Sequence, residues 1–282
     1  MVRLRKNKRA TRKNRKRLQR GGQLPKVFHF YNEYHYGDNI MNLKFFYNIA
    51  AHLLKSTIKI HYYYNDDYIK DINELMQYVD PKTLILHTLK DKPANAIQLW
   101  SGNPIKEVED YNWEQYYNVF YKNILKQIGL DNIDTSLFQN EPYLLDRYKK
   151  LDQKFKDLDI LIINGKPQSG QFDDPSGKLD ALSIQLSKKY KIAITTPIAG
   201  SNIPCTFTQS PKLTMCDIGA ISTHAKCIIA IFTGPITACM NSYTKAHVKK
   251  WFILTNPPFK FDSIPYIRIP DSNSLDKIVP TI

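Results

Sequence analysis

The sequence contains few cysteines and no long apolar run. Its four cysteines, Cys205, Cys216, Cys227 and Cys239, lie in the last third of the 282 residues, and none forms a C-x-x-C pair. This number does not make a disulfide scaffold, and the spacing does not indicate a zinc site. We therefore expect small core residues in a reducing, cytoplasmic protein. No segment approaches the ~20 apolar residues of a membrane span, and the N-terminus lacks the apolar core of a secretory signal.

Acidic residues are absent from the first 32 positions. Eleven lysines and arginines lie between Arg3 and Arg20, whereas the first acid is Glu33. The whole chain carries a net charge of +14, but residues 21–282 hold 29 basic and 26 acidic side chains, a net charge of +3. We predict that residues 1–22 form a disordered basic tail. Such a tail favours contact with polyanions, including nucleic acid, and leaves a nuclear location open.

The sequence also lacks the G-x-G-x-x-G dinucleotide fingerprint and the Walker A loop. It shows instead an alternation of apolar strand segments and amphipathic helices, which predicts an α/β fold with parallel sheets. The predicted strands cover residues 26–31, 57–64, 83–89, 159–163, 191–196, 227–232 and 251–255. The predicted helices between them cover residues 40–55, 69–79, 113–156 with a break, 179–190, 212–225 together with a loop, and 235–244. We predict two Rossmann-like domains, residues 23–150 and 151–282.

The first loop of interest follows the first predicted strand and contains His35 and Asp38. Asp38 is suited to the N-cap of the next helix, because its carboxylate can accept a main-chain hydrogen bond there. It is equally suited to act as a general base at the edge of a cleft, taking a proton from a hydroxyl. His35 is the alternative base, since imidazole titrates near neutrality. Both interpretations of Asp38 remain open at this point.

The second loop, Asn164–Gln171, follows a very apolar strand and offers two glycines, a lysine and a hydroxyl. Gly165, Lys166, Ser169 and Gly170 form a pattern that is typical of a diphosphate cradle. We predict that Lys166 contacts phosphate, although a solvated loop lysine would look the same in sequence. Lys178, at the start of the next helix, is a weaker candidate.

The third loop contains Thr233, Gly234 and Pro235, with Thr237 just after it. Glycine tolerates a close approach of the main chain to a ligand, and proline can open a helix. Because ligands of open α/β sheets bind at the carboxyl ends of strands, this turn is a candidate phosphate site. An ordinary strand-to-helix turn without a ligand is an equal alternative.

Acidic pairs raise the question of a metal. Asp66-Asp67 follows a predicted strand, but nothing near it in sequence completes a coordination shell. Asp157 precedes the predicted strand 159–163 and Asp159 begins it, so both would lie at the opposite edge of the sheet. We therefore predict no metal site and no cofactor.

Residues 217–237, DIGAISTHAKCIIAIFTGPIT, resemble the C-terminal signature of the heptosyltransferase-like glycosyltransferases. Asp217, Ser222, Ala225 and the Thr233–Pro235 turn match that signature in order and spacing. Gly37-Asp38 is similar to the family's opening loop. The resemblance implies the two-domain GT-B fold, a nucleotide-sugar donor bound mainly by the second half, and Asp38 as catalytic base. It also implies transfer to an acceptor hydroxyl without a metal; the acceptor is unknown.

The chain departs from the family pattern in the same turn. Phe232-Thr233 stands where the family has Asp-Ser, and Thr237 where it commonly has His. Two other functions therefore compete with glycosyl transfer. One is a nucleic-acid- or polyanion-associated protein with a degenerate α/β body, and the other is a different nucleotide-using α/β enzyme, such as a sugar-nucleotide hydrolase.

Overall fold

The computed structural model describes residues 26–65, 74–75, 77–100, 112–167, 170–208 and 213–282. The predicted tail lies outside this range, as do Ser169 and residues 69–73 of the second predicted helix. Within it, no helix is both long and apolar enough to cross a membrane. All four cysteines are free and buried, as expected from the sequence.

The N-terminal half contains a four-stranded sheet in the order β3-β2-β1-β4. Every pairing in this sheet is parallel. Its strands and the helix α1 that joins the first two are β1 (Lys26–Asn32), α1 (Tyr36–Ser56), β2 (Ile58–Tyr64), β3 (Leu84–Thr88) and β4 (Ile97–Gln98). One face of the sheet packs on α1, where Phe30, Phe46 and Tyr62 are fully buried.

Two helices connect the halves, α2 (Trp113–Ile128) and α3 (Tyr143–Lys150). Asn112 caps α2 through its side chain, and Gly129 ends that helix in the left-handed conformation, at φ 78°. A left-handed residue after a helix is most easily supplied by glycine, which has no Cβ to clash. This break coincides with the interruption predicted from the sequence.

The C-terminal half contains a five-stranded sheet in the order β6-β5-β7-β8-β9, again with every pairing parallel. Its strands are β5 (Ile160–Ile163), β6 (Ile192–Ile194), β7 (Cys227–Ile231), β8 (Lys250–Leu254) and β9 (Tyr266–Ile269). Its helices are α4 (Lys178–Ser187), α5 (Met215–Ser222), α6 (Ile236–Cys239) and α7 (Ser242–His247). The central strands β5 and β7 are buried throughout, which is why they read as uninterrupted apolar runs.

The α/β fold with two parallel sheets is confirmed. The two halves share one apolar cluster that extends from Phe30 and Phe46 of the first half to Ile228 and Trp251 of the second. The domain boundary near residue 150 stays a prediction, because a shared core does not by itself divide the chain.

Three details of the predicted elements are wrong. Helix α1 begins at Tyr36 rather than near residue 40, so Asp38 lies inside it. The predicted helix 235–244 is two short helices, interrupted where Asn241 accepts a hydrogen bond from the Thr244 N–H and caps α7. The edge strands β4 and β9 were not predicted, because Ile97–Gln98 is only two residues long and Tyr266–Ile269 lies in a proline-rich segment.

Candidate active site between the two sheets

A cleft of about 320 Å³ lies between the two halves. The loops after β1, β5 and β7 reach it from the carboxyl ends of these strands, where ligands of open α/β sheets bind. Its lining is His35, Tyr36, Gly37, Asp38, Met41, Trp113, Gly165, Lys166, Pro167, Gln171, Phe207, Phe232, Thr233, Gly234, Pro235, Ile236 and Thr237.

Most of the predicted site residues meet in this cleft. The first loop contributes His35 and Asp38, and the second contributes Gly165 and Lys166. The third loop contributes four residues, Thr233, Gly234, Pro235 and Thr237. Gly170 is exposed, has φ 68° and does not line the cleft. Ser169 lies outside the described residues.

Asp38 is the third residue of α1, and its side chain is 19% exposed. The N-cap position belongs to His35, whose side chain makes no capping bond, so the interpretation of Asp38 as N-cap is wrong. A carboxylate in the first helical turn is still favoured by the helix dipole. His35 Nδ1 lies 3.8 Å from Asp38 Oδ2. On α2, burial and then the Asp38 charge raise the pKa of Tyr116 to about 12.

A buried polar network holds this loop in place. The Asn39 side chain donates to His35 O at 3.1 Å and accepts from the Tyr62 hydroxyl at 2.8 Å. Asn42 donates to the Tyr62 oxygen at 3.0 Å and accepts from Tyr121 at 2.6 Å. Burial raises the pKa of both tyrosines, so their hydroxyls remain neutral donors. This network was not predicted from the sequence, where its only local signal is two asparagines three residues apart on an apolar helix.

The first and third loops touch main chain to main chain. A Cβ on Gly37 would lie 2.7 Å from the Gly234 Cα, and a Cβ on Gly234 would lie 3.2 Å from the Gly37 nitrogen. A side chain at Gly37 would require the main chain to move, and one at Gly234 would require Gly37 to shift by a few tenths of an ångström. Gly234 was expected to allow a close approach of the main chain to a ligand. In the structure, the group that closely approaches Gly234 is the main chain of Gly37.

The main-chain N–H groups after Gly234 are largely engaged in the turn itself. Those of Ile236, Thr237 and Ala238 donate to the carbonyls of Thr233, Gly234 and Pro235 at 3.0–3.2 Å. The Thr237 hydroxyl also donates to Gly234 O, at 2.7 Å. A phosphate at this turn would have to compete with these bonds.

The second loop is hydrogen-bonded to the residues that follow β6. The Asn164 carboxamide accepts from the Thr196 N–H at 2.8 Å and donates to Thr196 O at 2.9 Å. This pairing presents Lys166, exposed, at the cleft. The weaker candidate, Lys178, donates to the Asn273 side chain at 2.5 Å and does not line the cleft.

Aromatic rings form one wall of the cleft. Phe232 is 7% exposed, and its ring centroid lies 5.3 Å from Trp113 and 4.5 Å from Phe259. The departure from Asp at position 232 thus replaces a charged group by a packed ring. Trp113 was not predicted as a site residue, because it begins a helix remote in sequence from the three loops.

The signature residues Asp217 and Ser222 lie behind the cleft. Arg147 donates to Asp217 at 2.5 and 3.1 Å and to Glu74 at 2.8 Å. Asp217 also closes a capping box with Thr214 at the start of α5, and Ser222 bonds Thr244 at 2.7 Å. Among the described residues, the acidic, histidine and cysteine side chains form no group of three suited to a metal.

Comparison with known proteins finds relatives only at the level of structure. No family model and no curated protein matches this sequence. Solved structures of glycosyltransferases share its architecture. The E. coli heptosyltransferase WaaC with ADP-2-deoxy-2-fluoro heptose aligns over 90% of this chain and 99% of its own, with TM-score 0.53 and 7% identity.

Two further structures agree with this result. The E. coli ADP-heptose LPS heptosyltransferase II covers 91% of this chain and 95% of its own, with TM-score 0.51 and 12% identity. A family 9 glycosyl transferase from Veillonella parvula covers 91% and 89%, with TM-score 0.50 and 14% identity. The chain has the GT-B-like fold of these enzymes, and the resemblance predicted from its sequence is confirmed as a likeness of fold.

Proposed function

We propose that this protein is a glycosyltransferase that moves a sugar from a nucleotide-sugar donor to an acceptor hydroxyl. The observation that carries the proposal is the convergence of three loops, distant in sequence, on one cleft between two parallel sheets. The likeness in fold to heptosyltransferases, among them WaaC in one structure with ADP and in another with ADP-2-deoxy-2-fluoro heptose, supports this class of donor.

The proposed roles follow from where each group lies. The Asp38 carboxylate, in the first turn of α1 and partly exposed, takes the proton from the acceptor hydroxyl as the glycosidic bond forms. His35, at 3.8 Å, is the alternative base. The acceptor binds against the first half, whereas the departing nucleoside diphosphate remains against the second.

Lys166 is proposed to stabilise the charge that develops on the leaving diphosphate. It projects from the Gly165–Pro167 segment into the cleft that Thr233 and Gly234 also line. Such electrostatic stabilisation is usually the largest single contribution to catalysis of group transfer. In this proposal Asp38 and Lys166 act without a metal ion.

A thermal-shift panel with ADP, UDP, GDP and CMP tests the donor site. A nucleotide that binds only the folded protein raises its Tm by mass action, by an amount corresponding to about 2.7 kcal/mol at 100 times Kd. We expect ADP to stabilise the protein most, and Lys166→Met to reduce that shift. Lys178→Met is the matched control and should leave the shift unchanged. No shift with any nucleotide would contradict the proposal.

A second candidate function rests on the basic segment Arg3–Arg20. Its eleven positive charges favour binding to a polyanion, independently of any ligand or activity in the cleft. If the body were non-catalytic, the protein would bind nucleic acid and show no response to the nucleotide panel. The two candidates therefore differ in that assay.

A further inference from the structure

Lys44 is a buried cation in the contact between the two halves, and the roles proposed above do not use it. Its side chain is 7% exposed, and it projects from α1, the helix that also carries Gly37 and Asp38. Nζ donates to the carbonyls of Thr237 and Met240, each at 2.9 Å. Both carbonyls belong to α6 or to its C-cap, in the second half.

Glu141 balances this charge. Its carboxylate, 1% exposed, lies 3.3 Å from Lys44 Nζ and is approached by the Tyr143 hydroxyl at 3.5 Å. Burial raises the pKa of Glu141, whereas Lys44 opposes that rise. A buried ion pair gives weak grounds for stability by itself, since desolvation offsets much of the attraction. Its geometry therefore suggests a role in positioning rather than in overall stability.

Helix α1 contacts the segment Gly234–Met240 at both of its ends. At its start, Gly234 meets Gly37 main chain to main chain. At its end, the carbonyls of Thr237 and Met240 accept from Lys44. One helix therefore carries the candidate base, the close glycine contact and the ammonium group. The separation between Asp38 and the Thr233–Thr237 turn is fixed by two contacts rather than one.

We infer that Lys44 is a positioning residue that holds the Gly234–Thr237 turn at a fixed distance from Asp38, with Glu141 as its counter-charge. This inference deepens the proposed glycosyl transfer and rests on it. Donor and acceptor must be aligned for transfer, and a misplacement of about 1 Å can lower the rate about 100-fold. Lys44 touches neither reactant and acts through the turn.

The test compares the wild-type protein with Lys44→Met/Glu141→Gln, which removes both charges with little change in volume. Lys44→Met alone would leave a buried carboxylate unpaired and so destabilise the protein for another reason. Lys55→Met is the matched control, because Lys55 lies exposed on the same helix.

The first measurement is hydrogen exchange at the Ile236, Thr237 and Ala238 amides, which donate within the turn. We expect the double variant to exchange these amides at least about tenfold faster, because opening of the turn no longer has to break the Lys44 bonds. The Lys55→Met protein should match the wild type. Unchanged exchange in the double variant would overturn the inference without reference to any enzymatic activity.

The second measurement is catalytic. The donor is the nucleotide sugar that contains whichever nucleotide stabilises the wild-type protein. With this donor, we expect kcat of the double variant to fall about 10- to 100-fold. The Tm shift produced by that nucleotide should be retained. A retained kcat together with faster exchange would overturn the positioning role. If no nucleotide stabilises the wild type, the proposed function fails, and the exchange experiment still decides whether Lys44 holds the turn.

Discussion

At the scale of single residues, Asp38 lines the cleft and is not the N-cap of its helix. Its carboxylate is in the first turn of α1, partly exposed, and lies 3.8 Å from His35 Nδ1.

Replacing Asp38 by Asn tests its role. We expect Asp38→Asn to lower the rate of transfer about 100-fold or more, because an amide cannot take up the proton. Loss of the favourable interaction with the helix dipole would cost about 0.3–1 kcal/mol of folding free energy. The nucleotide-induced Tm shift should be unaffected.

Asp180→Asn is the matched control, because Asp180 is likewise an acid in the first turn of its helix, α4, and does not line the cleft. It should show the small stability change and full transfer activity. Equal activity of Asp38→Asn and Asp180→Asn would return Asp38 to a purely structural role.

The contact between Gly37 and Gly234 predicts a destabilised variant. In Gly37→Ala the new methyl group would lie 2.7 Å from the Gly234 Cα, so the main chain must move. Overpacking of this kind costs about 1–3 kcal/mol in free energy of unfolding, which denaturant titration measures. In Gly165→Ala the nearest atom to the methyl group would be Thr196 Oγ1 at 3.4 Å, so its stability should stay near that of the wild type. Equal stability of the two variants would contradict this account.

At the scale of elements, the first sheet carries a histidine array on the face opposite α1. His61 Nδ1 and His87 Nε2 lie 2.8 Å apart on neighbouring strands, and His29 Nδ1 lies 2.9 Å from the Tyr63 hydroxyl. The His61–His87 contact requires one of the two nitrogens to be unprotonated. Burial, then His87, His29 and Lys59, lower the pKa of His61.

The array predicts a loss of stability in mild acid. Burial also lowers the pKa of His87, although Asp91 opposes this and His29 adds to it. The folded-state pKa values of His61 and His87 both lie below the ordinary 6.5. The contribution of these two histidines to the free energy of unfolding is therefore complete above pH 6.5. It is lost as the pH falls through the folded-state values, since the unfolded chain then binds more protons.

Denaturant titrations between pH 7.5 and 5 measure this effect. His61→Phe should flatten the dependence of unfolding free energy on pH in the acid range. His52→Phe, which changes an exposed histidine on α1, should keep the wild-type slope. A wild-type slope in His61→Phe would show that the array is not the source.

Strands were predicted well because their physical signal is local. All seven predicted strands exist. A parallel strand that is covered on both faces is a continuous apolar run, as at Ile160–Ile163, and such a run is visible in the sequence. The edge strands β4 and β9 carry no such run. The cleft loops were predicted from their positions directly after strands, because the carboxyl ends of parallel strands meet at one edge of a sheet.

The contacts that join the halves were not predictable in the same way. Nothing near Lys44 in sequence indicates that it will be buried against Thr237, and lysine is a residue type that is mostly exposed. Gly37 and Gly234 resemble ordinary turn glycines until the two loops are brought together. Such features depend on the arrangement of the halves rather than on any local segment.

At the scale of the whole molecule, charge is divided unequally along the chain. Removing residues 1–22 takes away eleven basic groups and leaves a net charge of +3. We expect this deletion to abolish binding of a fluorescently labelled oligonucleotide, measured by anisotropy at low salt. Full-length binding should weaken steeply between 50 and 200 mM salt, in the range that such electrostatic contacts predict.

The deletion also separates the tail from the cleft. The nucleotide-induced Tm shift should be the same in both proteins, because the cleft residues all lie beyond residue 34. Oligonucleotide binding that survives the deletion would assign polyanion contact to the folded part. A nucleotide shift that disappears with the tail would contradict the two-domain interpretation.

The meeting of Gly37 and Gly234 has a consequence for how this sequence can diverge. Each position limits the volume of the other, so a side chain at either of them requires the main chain of the facing loop to shift, by more at Gly37 than at Gly234. Related sequences that keep this cleft should therefore retain glycine at both positions or change both together with the loop lengths around them. The pair would then appear in an alignment as a covarying couple from opposite halves of the chain, and homologues could be sorted by it into those that keep the closed geometry and those that have lost it.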